Sequence, residues 1–188
     1  MSNNGEFSGN PKTEWLVDPV GADRDMRLIE DFWYIDPDGK KWLAPAQSVI
    51  NGASIPRSLW AKVGSPYTDD YRRASIVHDV ACGNPAVPRK DADVMFLHAC
   101  RAGGCPVFQA WLLYVGVRLG SWITGAKHIF QGHAFAKDML LARATGALSD
   151  EEQGLQKQFS AIAADLAGLP EDASVEQLDA VIDKHALR

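Results

Sequence analysis

Polar and apolar positions along the chain change their period twice, and each change predicts a different kind of element. Residues 1–14 are polar and turn-prone and predict a flexible lead. Met26 to Ile35, rich in Leu, Ile, Phe, Trp and Tyr, then meets Asp36-Pro37-Asp38-Gly39, and Lys41 to Ala46 resumes with Trp42 and Leu43. Two such apolar segments around an Asp-Gly turn predict a β-hairpin, because Gly accepts the positive φ that tight hairpin turns require. Residues 48–56, SVINGASIP, read as a loop broken by Gly52 and Pro56, with a short helix over Arg57 to Val63.

From there the period becomes helical. Thr68 is placed to cap a helix with Asp69 and Asp70 in its first turn, running to Cys82 before Gly83-Asn84-Pro85 stops it. A second helix starts at Pro88-Arg89 and ends at Gly103-Gly104, and a third runs from Pro106 to Gly120. Ser149 with Glu152, and Ser174 with Gln177, have the spacing of capping boxes and open two further amphipathic helices. Thr145 to Asp150 is the expected linker. The predicted fold is α+β and mainly α: a small N-terminal β-hairpin packed on a three-helix core, with a helical C-terminal extension. Its organisation is a lead over 1–14, a catalytic-like domain over 15–143 and an extension over 144–188.

Composition narrows the functional classes. Against 19 Lys and Arg stand 24 Asp and Glu, a formal net charge of −5, and no Lys/Arg block occurs. A nucleic-acid partner is therefore not expected, since such affinity rests on neutralising phosphates. At 188 residues and 46% hydrophobic, the chain can bury a core without disulfide staples. Its three cysteines, Cys82, Cys100 and Cys105, lack metal-finger spacing, which suits synthesis in a reducing, cytoplasmic compartment. No basic n-region followed by an apolar stretch marks a Sec signal. The longest apolar run, Val107 to Ile123, is broken by Gln109, Arg118 and Ser121, so no transmembrane segment is expected.

The sharpest chemical feature is His78-Asp79. At helical spacing His78 shares a face with Ala74, Ala81 and Cys82, while Asp79 lies about 100 degrees round the axis. On the next helix, Asp93, Phe96, Leu97 and Cys100 follow the i, i+3, i+4, i+7 pattern of a buried stripe. An unpaired carboxylate on that face costs several kcal/mol, so a donor must meet it, and His78 is one short loop away. A carboxylate that engages one imidazole nitrogen leaves the other as a base, which is the orienting logic of hydrolytic dyads. The same pair could equally do no more than lock two helices together. Asn51-Gly52-Ala53-Ser54 is an oxygen-rich loop whose carbonyls, joined by Asp79, could hold calcium, which takes about six to eight oxygens. It could also be a plain connecting turn. His128 and His133, five apart, do not share a helical face; His98 and His185 read as boundary or solvent residues. Cys82 reads as a small buried hydrophobe near His78, and Asp91 as a surface charge complementing a helix start.

The string RLIEDFWYIDPDGKKWLAPAQSVINGASIPRSLW, followed by YRRASIVHDVAC, the DADVMF segment and LLYVGVRLG, resembles a bacterial and phage domain family of unknown function found in prophages and near type VI secretion genes. The resemblance covers roughly residues 15 to 125. That family is in turn distantly similar to secreted phospholipase A-two, in which a calcium loop precedes a helix bearing adjacent His and Asp. The matching residues are Asn51 and Gly52 for the loop, His78 and Asp79 for the pair, Asp93 before Phe96, and Tyr114 with Val117, Arg118 and Gly120.

The resemblance implies a hydrolase of phospholipid acyl esters. His78 and Asp93 would be catalytic, and Asp79, Asn51 and Gly52 would hold calcium. It further implies export by a phage or type VI route as an antibacterial effector, with an immunity protein or secretion adaptor as partner. Two alternatives stand beside it: a cell-wall hydrolase cleaving peptidoglycan amides, and a non-enzymatic phage-derived structural or adaptor module.

Overall fold

The computed structural model describes residues 4–17, 25–53, 55–64, 69–129 and 149–185. Six short strands come first: β1 (Glu6–Phe7), β2 (Thr13–Trp15), β3 (Met26–Leu28), β4 (Phe32–Ile35), β5 (Lys41–Ala44) and β6 (Val49–Ile50). They form two antiparallel three-stranded sheets, ordered β1-β4-β5 and β2-β3-β6. The expected hairpin is β4–β5. Phe32, Tyr34, Trp42 and Ala44 face inward and Leu43 and Lys41 outward, with Tyr34 opposite Trp42 and Phe32 opposite Ala44. Its turn is built by Asp36, whose carboxylate accepts from the Asp38 N–H (3.0 Å), the Lys40 N–H (2.9 Å) and the Trp42 indole N–H (2.8 Å), while Gly39 takes φ 82°.

Two features depart from the expected hairpin region. Its first arm is divided between the two sheets, because the chain breaks at Ile29–Asp31, where Asp31 accepts the Ala46 N–H (2.7 Å). Within the expected flexible lead over 1–14, residues 6–7 and 13–14 belong to paired strands, the second continuing to Trp15, with Phe7 opposite Tyr34 and Trp15 opposite Met26. Phe7 packs on the Phe32 ring at a centroid distance of 5.8 Å, an apolar anchor within an otherwise polar segment.

Helices follow in the predicted order: α1 (Trp60–Val63) after a 3-10 turn at Arg57–Leu59, α2 (Arg72–Gly83), α3 (Arg89–Gly103) and α4 (Val107–Ile129). Thr68, the expected cap of α2, lies outside the described residues. Asp69 and Asp70 fall in a 3-10 turn, Asp69–Tyr71, that leads into α2. Gly104 ends α3 in the left-handed conformation at φ 111°. At Gly103 the 3-10 turn lies so close that an added Cβ would collide with the Asp70 carbonyl oxygen. Gly116 gives the 51–56 loop a seat on α4, where a Cβ would stand 3.2 Å from Ile55 Cγ2. The third helix runs past its expected end at Gly120, since one glycine costs only about 1 kcal/mol in a helix interior and does not stop it. Ser121, within 2.9 Å of the Val117 carbonyl, sits in the continuing turn.

Both capping boxes form. Ser149 opens α5 (Asp150–Leu166) with reciprocal bonds to Glu152, and Ser174 opens α6 (Val175–Lys184) with reciprocal bonds to Gln177. The expected 143/144 boundary and most of the expected linker lie outside the described residues. Phe159, Ile162, Leu166, Leu178 and Ile182 join the same buried cluster as Phe96, Leu113 and Tyr114, and Gln156 donates to the Ser58 carbonyl (2.7 Å). Among the described residues no helix is long and apolar enough to cross a membrane.

Candidate functional site

α2 and α3 are joined by a tight connection in which Asn84 accepts the Ala86 N–H (3.0 Å) and Pro88 precedes the first turn of α3. The reversal brings the last two turns of α2 against the first two of α3, and His78 meets Asp93 there as the apolar stripe requires. His78 Nε2 stands 2.9 Å from Asp93 Oδ1, and both side chains are 0% exposed. Burying that carboxylate is offset by more than the imidazole. The Ser121 hydroxyl lies 2.9 Å from Asp93 Oδ2 and receives the Arg89 Nε–H at 3.1 Å. Arg89 Nε is 3.6 Å from Oδ1 and Arg118 Nη1 is 3.8 Å from Oδ2. Asp93 is the hub of α2, α3 and α4.

The imidazole is held on both faces. The Phe96 ring, one turn after Asp93, tilts against it at a centroid distance of 4.8 Å. Cys82 Sγ is 3.4 Å from Nε2 and 3.7 Å from Nδ1. A sulfur that close to both nitrogens would collide with Cε1 if it lay in the ring plane, so it sits over the ring face. It is therefore not aligned with either nitrogen lone pair, as the thiol of a Cys–His nucleophilic pair would be. Burial pushes the Cys82 thiol up to about 12, so it stays protonated at neutral pH, as suits the small buried hydrophobe expected from the sequence.

Ligand atoms of His78, Cys82 and Asp93 all lie within 4.8 Å of one another. The arrangement nevertheless fits a proton better than a metal ion. The sulfur is off the Nε2 axis on which a bound ion would sit, and two guanidinium groups flank Asp93, where a divalent cation would be repelled.

Asp79 points to the 51–53 loop, as expected, but in the opposite chemical sense to a cation cage. Its Oδ2 accepts the Asn51 N–H at 2.7 Å, and the Gly52 N–H also bonds it. Burial raises the Asp79 pKa above the ordinary carboxylate range, against the pull of these two N–H groups. Gly52 takes φ 98°, a conformation strained for any side chain, and is buried. The loop thus turns backbone donors toward the carboxylate, where calcium requires oxygens. Asp79 anchors the loop, and the exposed Asn51 is carried with it.

A second polar cluster adjoins the first through Arg118. The Tyr114 hydroxyl donates to Asp179 Oδ1 (2.7 Å), Lys90 Nζ is 2.7 Å from Asp179 Oδ2, and Arg118 Nε is 3.8 Å from Oδ1. Although burial pushes Asp179 up, the bonds from Lys90 and Tyr114 prevail and hold it below the ordinary carboxylate value. Burial, then the bond to Asp179, pushes the Tyr114 hydroxyl well up. Arg118 Nε and Arg89 Nη2 are buried with no hydrogen-bond partner among the described residues.

The structure thus brings together His78 with Asp93, and separately Asp79 with Asn51 and Gly52. Sequence reasoning missed Arg89, Ser121 and Asp179. For Arg89 a signal exists, its i, i+4 spacing to Asp93; Ser121 reads in the sequence only as an interruption of an apolar run. Asp91 is exposed in the first turn of α3, as expected, and His185 Nε2 pairs with Asp165 at 2.9 Å near the surface. His133 lies outside the described residues.

Residues 26–117 match the family model described as "Protein of unknown function (DUF1353)". The uncharacterized protein y4jT of Sinorhizobium fredii is 33% identical over 114 residues, which is 60% of this chain and 33% of that protein. The uncharacterized protein y4iH of the same organism is 29% identical over 178 residues, 90% of this chain and 74% of the relative. The chain therefore spans about a third of the length of the first relative and about three quarters of the second. No solved structure matches. These descriptions name no activity; what they share with the expectation from the sequence is a domain family of unknown function. The segment that carries His78, Asp79, Asp93 and Tyr114 is thus the part of the chain that is similar to this family of unknown function.

Proposed function

We propose that this chain is a hydrolase in which His78 is the general base and Asp93 the carboxylate that orients it, acting on the acyl ester of a phospholipid. One observation carries this reading: Asp93 engages Nε2 at 2.9 Å from a fixed position, which makes Nδ1 the nitrogen to take a proton. Nδ1 would accept a proton from water as its oxygen adds to the ester carbonyl carbon. The same proton would then go to the alkoxide as the carbon–oxygen bond breaks, leaving a fatty acid and a lysolipid. His78 is fully buried here, so a substrate reaches Nδ1 only when the side chains packed on the ring, such as the partly exposed Cys82, give way.

The lipid ester comes from the resemblance to secreted phospholipase A-two, and a phage or type VI delivery route, with an immunity protein or adaptor, is the setting that resemblance supplies. The donors that the loop turns on Asp79 do not make a calcium cage, and no step is routed through a cation. The test is fatty-acid release from mixed phospholipid vesicles, with calcium and with chelator, for the wild type and His78→Ala, with purified sacculi as a parallel substrate. Release lost in the variant supports the reading; full lipolysis by His78→Ala, or cleavage of sacculi alone, overturns it.

A second reading, a structural or adaptor module, is favoured by the complete burial of both dyad members. Its distinguishing outcome is a folded wild type silent on both substrates, whose dyad variants lose stability.

A further inference from the structure

We propose that Lys90, Tyr114 and Arg118 form a binding pocket for a phosphate group, which the Asp179 side chain fills in cis. Three donors from α3 and α4 converge on one carboxylate that arrives from α6, 65 residues beyond Tyr114. Lysine, arginine and a hydroxyl are the donor set proteins use for oxyanions. The carboxylate does not satisfy that set. Its two oxygens are taken by Lys90 Nζ and the Tyr114 hydroxyl, each at 2.7 Å, whereas Arg118 Nε stands off at 3.8 Å. That nitrogen is wholly buried and has no hydrogen-bond partner among the described residues.

A buried donor left unmade is costly, and docking α6 onto the core does not require one. A tetrahedral oxyanion offers more acceptor oxygens, spread in three dimensions, and would engage all three donors where a planar carboxylate engages two. The pocket also has an entrance, because the Lys90 side chain is 58% exposed while Asp179 is 10% exposed. A phosphate group entering beside Lys90 would displace Asp179.

The far end of Arg118 is 3.8 Å from Asp93, so the bound phosphate would lie one side chain from the His78 dyad. Resting on the hydrolase reading, it would be the phosphate of the lipid headgroup, held while the ester is brought to His78. The pocket's affinity for phosphate does not depend on turnover, so either claim can fail without the other.

The experiment is thermal melting of the full chain against inorganic phosphate, for the wild type, Asp179→Ala and the double variant Lys90→Met with Asp179→Ala. The expected result is a saturable rise in melting temperature of Asp179→Ala, about 5 °C or more at a hundredfold excess over the dissociation constant. The wild type, its pocket filled, would respond only at much higher concentration, and the double variant would not respond. Asp179→Ser, which keeps a polar partner for Tyr114, serves if Asp179→Ala does not fold. Vesicles of phosphatidic acid against phosphatidylcholine form a second arm. Retention on the former by the Asp179 variant assigns the phosphate to a lipid, and binding of inorganic phosphate alone assigns it to a soluble ligand. A folded Asp179 variant with no saturable response, or one unchanged by loss of Lys90, overturns the proposal.

Discussion

Asp93 has more positive neighbours than its charge can neutralise. An imidazole, a hydroxyl and two guanidinium groups surround one carboxylate in a fully buried position. Replacing Asp93 with Asn leaves space and most hydrogen-bond geometry intact but strands Arg89 and Arg118 beside an uncharged group. The expected cost is about 3–5 kcal/mol, the range for breaking a buried pair by removing one partner. Urea denaturation of Asp93→Asn measures it as a fall in midpoint at unchanged slope. A cost under about 1 kcal/mol would mean that the two arginines find other partners, and Asp93 would then not be the hub its distances make it. For Cys82 the expectation is the reverse, since a protonated sulfur over a ring face offers mainly packing.

Between elements, the closest approaches are made at glycines that no apolar pattern points to. Gly103 is a helix residue, where helix propensity alone would favour alanine by about 1 kcal/mol. The collision of an added Cβ with the Asp70 carbonyl decides the sign the other way. Backbone oxygen cannot swing aside as a long side chain can, so Gly103→Ala should destabilise the fold by about 1–3 kcal/mol, read as a lower melting temperature. At this scale the sequence was legible wherever one residue's neighbours on its own helix decided its place. Asp93 could be read because Phe96, Leu97 and Cys100 put it on a buried face, and the two capping boxes because serine and its partner lie three residues apart. Asp36 building the turn, Phe7 anchoring β1 and the loop donors facing Asp79 could not be read in that way. Each depends on where a distant segment lands, and a loop's composition does not say whether it offers N–H groups or carbonyls. Asp179 was hidden for the same reason, its partners lying on helices far earlier in the chain.

Across the molecule, the C-terminal helices continue the core rather than hang from it. Ile162 is fully buried in the cluster that holds Tyr114 and Leu113. Ile162→Ala should therefore cost about 2–5 kcal/mol and shift one shared transition. All six tryptophans lie at or before residue 122, so their fluorescence reports on the part of the chain that precedes α5, while circular dichroism follows every helix. Coincident shifts of the two signals are the expected outcome, and a tryptophan transition unmoved by Ile162→Ala would show that α5 and α6 melt apart from the rest. The bond between Tyr114 and Asp179 also imposes an order in time. Translation at roughly 5–20 residues per second delivers residue 179 about 3–12 s after residue 118. For that interval Lys90 and Arg118 emerge without the carboxylate they later share, so a nascent chain carries a cationic hole beside its His–Asp pair. The cluster closes only once Asp179 has been made, and until then Asp93 is the carboxylate that Arg118 can approach.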